Sequence, residues 1–406
     1  MSDLYELPDG WEWKKLDEIT KLVGGGTPRR NMNEYWDNGN IIWLSPTDLG
    51  RIGEIINISD SKDKITQLGL DKSSAKLLPI GTVLYSSRAT IGKIAINTIE
   101  VSTNQGFTNF ICSEHLNNQY LAYILKRFTN KITSLSNSTT FKEVSKSSLK
   151  EFKIPLPALQ EQKKIVSKLD TLFEKIDKSI TLHQKNMDEA DVFMGSVLND
   201  VFGELEQKYQ KDNLDNLTKL ITKGTTPTTN GYKFLDKGIN FLKIENIVNG
   251  KINLSTIEMF ISEEAHQSQK RSQLEINDVL FSIAGTIGDT AIVKEEHLPM
   301  NTNQAVALIR PINKLNPEFL RRLLSSSLSN QTTNKKRGGA IKNVSLGDIK
   351  STIIPVPPLN IQQKTVTYLD GISQKVENLK QVQKDKMVSL VALKASILDQ
   401  AFRGEL

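Results

Sequence analysis

Two kinds of hydrophobic pattern follow one another along the chain, and the pair of patterns occurs twice. In the first kind, short apolar runs rich in β-branched and aromatic residues are separated by Gly, Asn, Asp and Ser. Asn40–Leu44, Thr82–Ser86 and Lys93–Asn97 read as strands bounded by turns. Leu116–Phe128 and Pro317–Ser326 carry helical spacing, so this part reads as a mixed α/β globule. After the Pro-x-Pro at Pro155–Pro157 the pattern becomes helical. Val166, Leu169, Phe173, Ile176, Ile180, His183, Met187, Ala190, Met194, Val197 and Val201 follow at alternating steps of three and four. A 3.5-residue period held over about five heptads predicts a coiled-coil seam. The second helical stretch is rougher: Val366, Leu369, Ile372, Val376 and Leu379, then Met387, Leu390, Leu393 and Ile397, with a break near Gln383. Each stretch of about 45 residues would span roughly 65 Å at 1.5 Å per residue. That length outruns a domain of this size, so the two seams are expected to bury each other. Because a globule lies between them in sequence, the expected pairing is antiparallel.

The duplication is visible residue by residue. Leu16-Asp17-Glu18-Ile19-Thr20-Lys21-Leu22 returns as Leu214-Asp215-Asn216-Leu217-Thr218-Lys219-Leu220. Gly26-Thr27-Pro28 returns as Gly224-Thr225-Thr226-Pro227, and Val83-Leu84-Tyr85-Ser86 as Val279-Leu280-Phe281-Ser282. Thr103-Asn104-Gln105 matches Thr302-Asn303-Gln304, and Ile154-Pro155-Leu156-Pro157 matches Ile354-Pro355-Val356-Pro357. Order is kept, and the offset drifts only from 196 (Val83 to Val279) to 201 (Gly203 to Gly404). The fold class expected is α+β: two similar mixed α/β domains separated by two long helices that form an antiparallel coiled coil, with a pseudo-two-fold internal repeat. The boundaries expected are 1–157 for the first globule, 158–205 for the central helix, 206–357 for the second globule and 358–406 for the last helix.

Composition narrows the class without naming a function. The 406 residues hold 52 Lys+Arg against 46 Asp+Glu, a formal net charge of +6, which suits a polyanionic partner without requiring one. One cysteine, Cys112, excludes a disulfide framework and a thiolate metal cluster, and fits a reducing cytoplasm. His115, His183, His266 and His297 show no ligand spacing, so no metal is expected. The opening Met1-Ser2-Asp3-Leu4-Tyr5-Glu6 is too polar for a secretory signal, and no apolar run approaches the roughly 18 residues of a membrane span. A cytoplasmic protein is expected.

At this point the residues resemble the specificity subunit of type I restriction–modification systems. Leu7-Pro8-Asp9-Gly10-Trp11-Glu12-Trp13-Lys14-Lys15-Leu16 is similar to that family's opening. Ile154-Pro155-Leu156-Pro157-Ala158-Leu159-Gln160-Glu161-Gln162 resembles its entry into the spacer helix, and Ser396–Leu406 its closing helix end. The second unit departs from the pattern: Asp212-Asn213-Leu214 replaces the Leu-Pro-x-Gly-Trp opening, and no acidic residue follows Pro358 at the place of Glu161. The resemblance implies two target recognition domains, each reading one half of a split duplex-DNA sequence, with the helix pair setting the gap. It implies two modification subunits docked on the helices, restriction subunits beside them, and no membrane. S-adenosylmethionine, ATP and Mg would be bound by those partners, with no cofactor in this chain.

Catalytic machinery is not legible. No Asn/Asp-Pro-Pro-aromatic motif and no Gly-x-Gly-x-x-Gly loop occur, and Ser87-Arg88-Ala89-Thr90-Ile91-Gly92-Lys93 departs from a phosphate loop at both ends. Glu151-Phe152-Lys153 matches a nuclease signature over three residues only. The chain is therefore expected not to be an enzyme, against two rivals: a coiled-coil scaffold that binds proteins alone, and a solitary nuclease or methyltransferase. Reading DNA needs cations for phosphates and bidentate groups for base edges. Positions alike in both halves should be scaffold or phosphate-facing, and loop positions that differ should include the readers. The first half offers Arg29, Arg30, Asn31, Arg51, Arg88, Thr140 and Lys142. The second offers Asn230, Lys243, Arg271, Lys335, Lys336, Arg337 and Lys342. Phe202 and Phe402 read as packing residues near the helix ends, and Cys112 as a small buried hydrophobe.

Overall fold

In the computed structural model, residues 5–136, 142–326 and 344–406 are described. The candidates Thr140, Lys335, Lys336, Arg337 and Lys342 lie outside them. Two compact units divide the chain: Met1–His183 with Asp385–Leu406, and Gln184–Lys384. Each holds one globule, part of the first long helix (Leu159–Lys208) and part of the second (Leu359–Ala401).

In the first unit, Glu12–Lys15 pairs antiparallel with Lys153–Leu156 where the chain enters and leaves the globule. The main sheet has five strands in the order Thr20–Gly24, Phe107–Cys112, Val83–Ser86, Ile94–Asn97 and Ile55–Ile58. Its last pairing is parallel, the others antiparallel. A smaller sheet places Ile41–Leu44 antiparallel to Asp63–Ile65 and parallel to Ser102–Thr103. Val83–Ser86 and Ile94–Asn97 are buried on both faces, which the apolar runs Val83-Leu84-Tyr85 and Ile94-Ala95-Ile96 anticipate. The helix Asn118–Thr133 lies on this sheet, its Asn117 cap accepting the Tyr120 N–H at 2.9 Å.

The second unit repeats the plan. Thr218–Lys223, Val306–Pro311, Val279–Ser282 and Thr290–Ile292 form the main sheet in that order. Ile239–Leu242 again runs antiparallel to one neighbour and parallel to Met300–Thr302. Asn316 caps the helix Pro317–Leu324 as Asn117 caps its counterpart. Even an ion pair recurs, Lys150 to Asp17 at 2.9 Å and Lys350 to Asp215 at 3.1 Å.

Each globule is packed by the start of the long helix that follows it and by the end of the other long helix. In the first unit Ile165, Leu169, Phe173 and Ile176 share a core with Ile397, Leu398, Ala401 and Phe402. In the second, Val366 and Leu369 share one with Leu198, Phe202 and Leu205. Phe402 meets Tyr120 edge to face at 5.3 Å between ring centres, and Phe202 meets Phe319 at 5.4 Å. Within the second unit the helix segments run antiparallel: Asn186 donates to Gln383 (3.3 Å), Lys380 to Asp191 (2.7 Å) and Ser373 faces Met194. In the first, Lys394 grips Asp177 at 2.6 Å.

The seam of the second long helix corrects the sequence reading at Leu379, Leu393 and Gln383. Leu379 and Leu393 are 46% and 48% exposed, and the more covered positions are their neighbours Lys380 and Lys394. The covered or half-covered row is Val366, Leu369, Ser373, Val376, Lys380, Gln383, Met387, Leu390, Lys394, Ile397 and Ala401, an unbroken alternation of three and four. Gln383 is part of the seam and does not interrupt it. The lysine stems fill the apolar space and their ammonium groups reach carboxylates at its edge. Lys394 also sits 4.8 Å from the centre of the Phe173 ring, with Lys126 at 5.4 Å. Burial, and then the Lys394 charge, push Lys126 down to about 8.

Candidate nucleic-acid interface

A glycine turn organises one loop end of each globule. Gly26 N–H donates to Thr103 O at 2.8 Å, and Thr225 N–H donates to Thr302 O at 3.0 Å. The chains approach so closely that a Cβ on Gly25 would lie 1.9 Å from Asn104 O, and one on Gly224 2.0 Å from Thr302 O. No other residue fits there. The Thr27 hydroxyl donates to Gln105 Oε1, and the Thr226 hydroxyl to Gln304 Oε1. Thr103 and Thr302 are fully buried. Asn104 Oδ1 accepts from Gly106 N–H (2.8 Å) and Asn303 Oδ1 from Ala305 N–H (3.1 Å). The shared Thr-Asn-Gln segment thus builds the turn, with only its glutamine exposed.

Other loops join this end. In the first globule Ser87 N–H donates to Gly106 O, and Ala89 N–H to Lys142 O at 3.1 Å, so Arg88 and Lys142 lie on adjacent segments. Arg88 forms an ion pair with Glu143 at 3.5 Å. Lys93 Nζ holds the loop that carries Arg51 by donating to Pro46 O (2.8 Å) and Leu49 O (3.4 Å). In the second globule Ile283 N–H donates to Ala305 O and Val344 N–H to Ile283 O, the same arrangement with Ala284 in place of Arg88. Asn230 closes a short 3-10 turn after Pro227, and Lys243 reaches Glu245 at 3.5 Å. Arg271 is exposed beside Ser272, whose hydroxyl accepts from Asn301 Nδ2 at 3.1 Å.

Arg30 is held in a way the sequence did not reveal. Its guanidinium stacks 3.8 Å from the centre of Trp36 and 4.8 Å from that of Trp43, and bonds Asp63 at 2.7 Å. The same indoles brace the turn: Trp36 Nε1 donates to Arg29 O (3.1 Å) and Trp43 Nε1 to Gly26 O (2.9 Å). Arg30 therefore braces the loop while staying exposed, as Arg29 and Asn31 beside it are. Neighbouring features are structural. Glu151 pairs with Lys15, and Phe152 meets Phe128 edge to face. Cys112 is half-buried, its thiol pushed up to about 12 by burial. Among the described residues no group of His, Cys, Asp and Glu could hold a metal ion, and no helix is long and apolar enough to cross a membrane.

Two copies of one α/β scaffold, each presenting loops of different polar content and each sharing its core with segments of both long helices, define a duplicated recognition protein. The model of the type I restriction modification DNA specificity domain matches residues 8–186 and again 206–385, and the chain belongs to this family, carrying its domain twice. The chain is 28% identical over 421 residues to the type I restriction enzyme MjaIX specificity subunit of Methanocaldococcus jannaschii, covering 100% of this chain and 95% of that one. It is 24% identical to the EcoKI specificity subunit of Escherichia coli, covering 99% and 90%. Among solved structures, a chain from work on complex assembly and conformational transition of the type I R-M system superposes with a TM-score of 0.75 at 24% identity, over 99% of this chain and all of that one. The HsdS subunit of Thermoanaerobacter tengcongensis superposes at 0.58 and 23% identity, over 100% and 99%. These likenesses show the fold.

Proposed function

We propose that the chain is the DNA-specificity subunit of a type I restriction–modification complex and itself performs no chemistry. Each globule reads one half of a split duplex site, and the helix pair sets the number of unread base pairs. The observation that carries this reading is the contrast between shared scaffold and unlike loops. The Gly turn and Thr-Asn-Gln segment recur, while Arg29-Arg30-Asn31 gives way to Thr228-Thr229-Asn230 and Arg88 to Ala284. Arg29, Asn31 and Arg88 in one globule, and Asn230 and Lys243 in the other, are the proposed base-edge contacts. Arg51, Lys142 and Arg271 are proposed on phosphates.

Methyl transfer and cleavage then belong to partners, which would hold S-adenosylmethionine, ATP and Mg. Two copies of one modification subunit suit a chain with two equivalent docking patches. Phe193 and Leu393, separated by the same 200 positions as Ile154 and Ile354, are both about half exposed. Phe193 borders an apolar groove with Ile372, Val376 and Leu379. The test is duplex binding by the chain together with its modification subunits across a salt series. Affinity that falls steeply and linearly in log salt supports the reading; binding to protein partners with no duplex affinity at 50 mM salt rejects it.

A further inference from the structure

The reading of DNA leaves unexplained two fully buried glutamines at equivalent places in the two halves. Gln162 Nε2 donates to His115 O (2.9 Å) and Pro157 O (2.9 Å), while its Oε1 accepts the Asn117 N–H (2.8 Å). Gln362 Nε2 donates to Lys314 O (2.9 Å) and Pro357 O (2.8 Å), and its Oε1 accepts the Asn316 N–H (2.8 Å). Both side chains have 0% exposure. Each comes from the first turn of a long helix and engages the loop that caps the globule's own helix, Asn118–Thr133 or Pro317–Leu324. A buried amide with both donor protons and its acceptor engaged has one geometry, because any tilt leaves a buried polar group unpaired.

A second tie lies about two to three turns further along each long helix. Tyr123 Oη donates to Asp170 at 2.5 Å, and Arg322 donates to Ser373 at 2.7 Å and to Asp370. The second tie is thus built from different residues in the two halves, beside the same glutamine joint.

We propose that Gln162 and Gln362 are positioning residues that lock the angle between each reading globule and its spacer helix, so that the complex accepts one gap length and rejects its neighbours. The inference rests on the bipartite reading above. One extra base pair moves a half-site by about 3.4 Å and turns it by about 35° around the duplex axis. A rigid joint cannot follow that displacement, whereas a loosened joint can.

The experiment uses the full complex with its modification subunits and the site mapped by methylation sequencing. Three duplexes carry that site with its native gap, one base pair fewer and one more, and methyl transfer to each is measured. For the wild type, transfer is confined to the native gap. Gln162→Leu and Gln362→Leu complexes are expected to lose at least tenfold of that selectivity while still requiring the same half-site bases. A chain that was only destabilised would lose transfer on all three duplexes alike. If Gln162→Leu fails to assemble, Tyr123→Phe removes only a hydroxyl at the same joint and is expected to lose at least threefold. Assembled variants that keep full gap selectivity overturn the joint. A wild-type complex that modifies no bipartite site overturns the underlying reading.

Discussion

Replacing Phe402 by alanine tests whether the end of the second long helix is anchored in the first globule. The side chain is 1% exposed, lies edge-on to Tyr120, and belongs to a core that includes Leu121, Ile154, Leu169 and Ala401. Phe→Ala in such a core costs about 3–5 kcal/mol, of which the aromatic pair supplies about 0.5–1.5. The Tyr5 hydroxyl donates to the Phe402 carbonyl at 2.5 Å, a backbone contact that the substitution leaves in place. A chain with two units need not melt in one step, so a single midpoint is a poor readout. Hydrogen exchange followed by mass spectrometry resolves them. At 1.4 kcal/mol per tenfold, amides in 385–401 and 118–133 should exchange roughly 100- to 4,000-fold faster, with amides of 306–324 unchanged. Phe202→Ala should produce the mirror result, exposing 306–324 and sparing 118–133. Acceleration below tenfold in 385–401, or equal acceleration in both units, would refute the crossed anchoring.

Changing Lys380 and Lys394 together to leucine should stabilise the helix pair by about 1–2 kcal/mol, since exposed partners return little for each ion pair; faster hydrogen exchange than wild type in the helix amides around both positions would contradict their place in the seam. Burial alone would raise the Asp399 carboxyl, but Arg127 and Arg403 hold it below its ordinary value of 3.8. Its contribution is therefore present above pH 3.8 and lost as pH falls through the lower folded value, so Asp399→Asn should be less stable than wild type at pH 6 and converge with it near pH 2 in unfolding titrations. A gap between the two that does not narrow on acidification would contradict the arginine clasp. Lys142→Gln in the assembled complex should weaken duplex binding uniformly across sequences and reduce the slope of log affinity against log salt by about 0.9; an altered modified sequence would instead make Lys142 a base reader.

Much of the fold is legible in the sequence because duplication and period are properties of order alone. Strands at Ile41–Leu44, Val83–Ser86 and Ile94–Asn97 follow from β-branched runs between turn residues. What period could not resolve was which of two adjacent residues faces the partner helix. A pattern search favours Leu379 and Leu393, while the helix turns Lys380 and Lys394 inward because their stems are long enough to fill the seam and still reach water. The buried glutamines escape notice for the same reason: polar side chains read as surface until their partners are seen. The interface is legible as a set of loops but not as an order of roles. Arg29 and Arg30 are indistinguishable in sequence and both exposed, yet Arg30 is tied to the loop by stacking on Trp36 and Trp43. That difference depends on Asp63, a residue from another strand.

The most direct measurement replaces residues 16–157 by the corresponding globule of a relative with a different target, then maps methylated sites made by the complex in a cell. The account predicts that one half of the modified sequence changes while the other half and the gap between them persist. A map in which both halves change together would contradict independent reading by two globules.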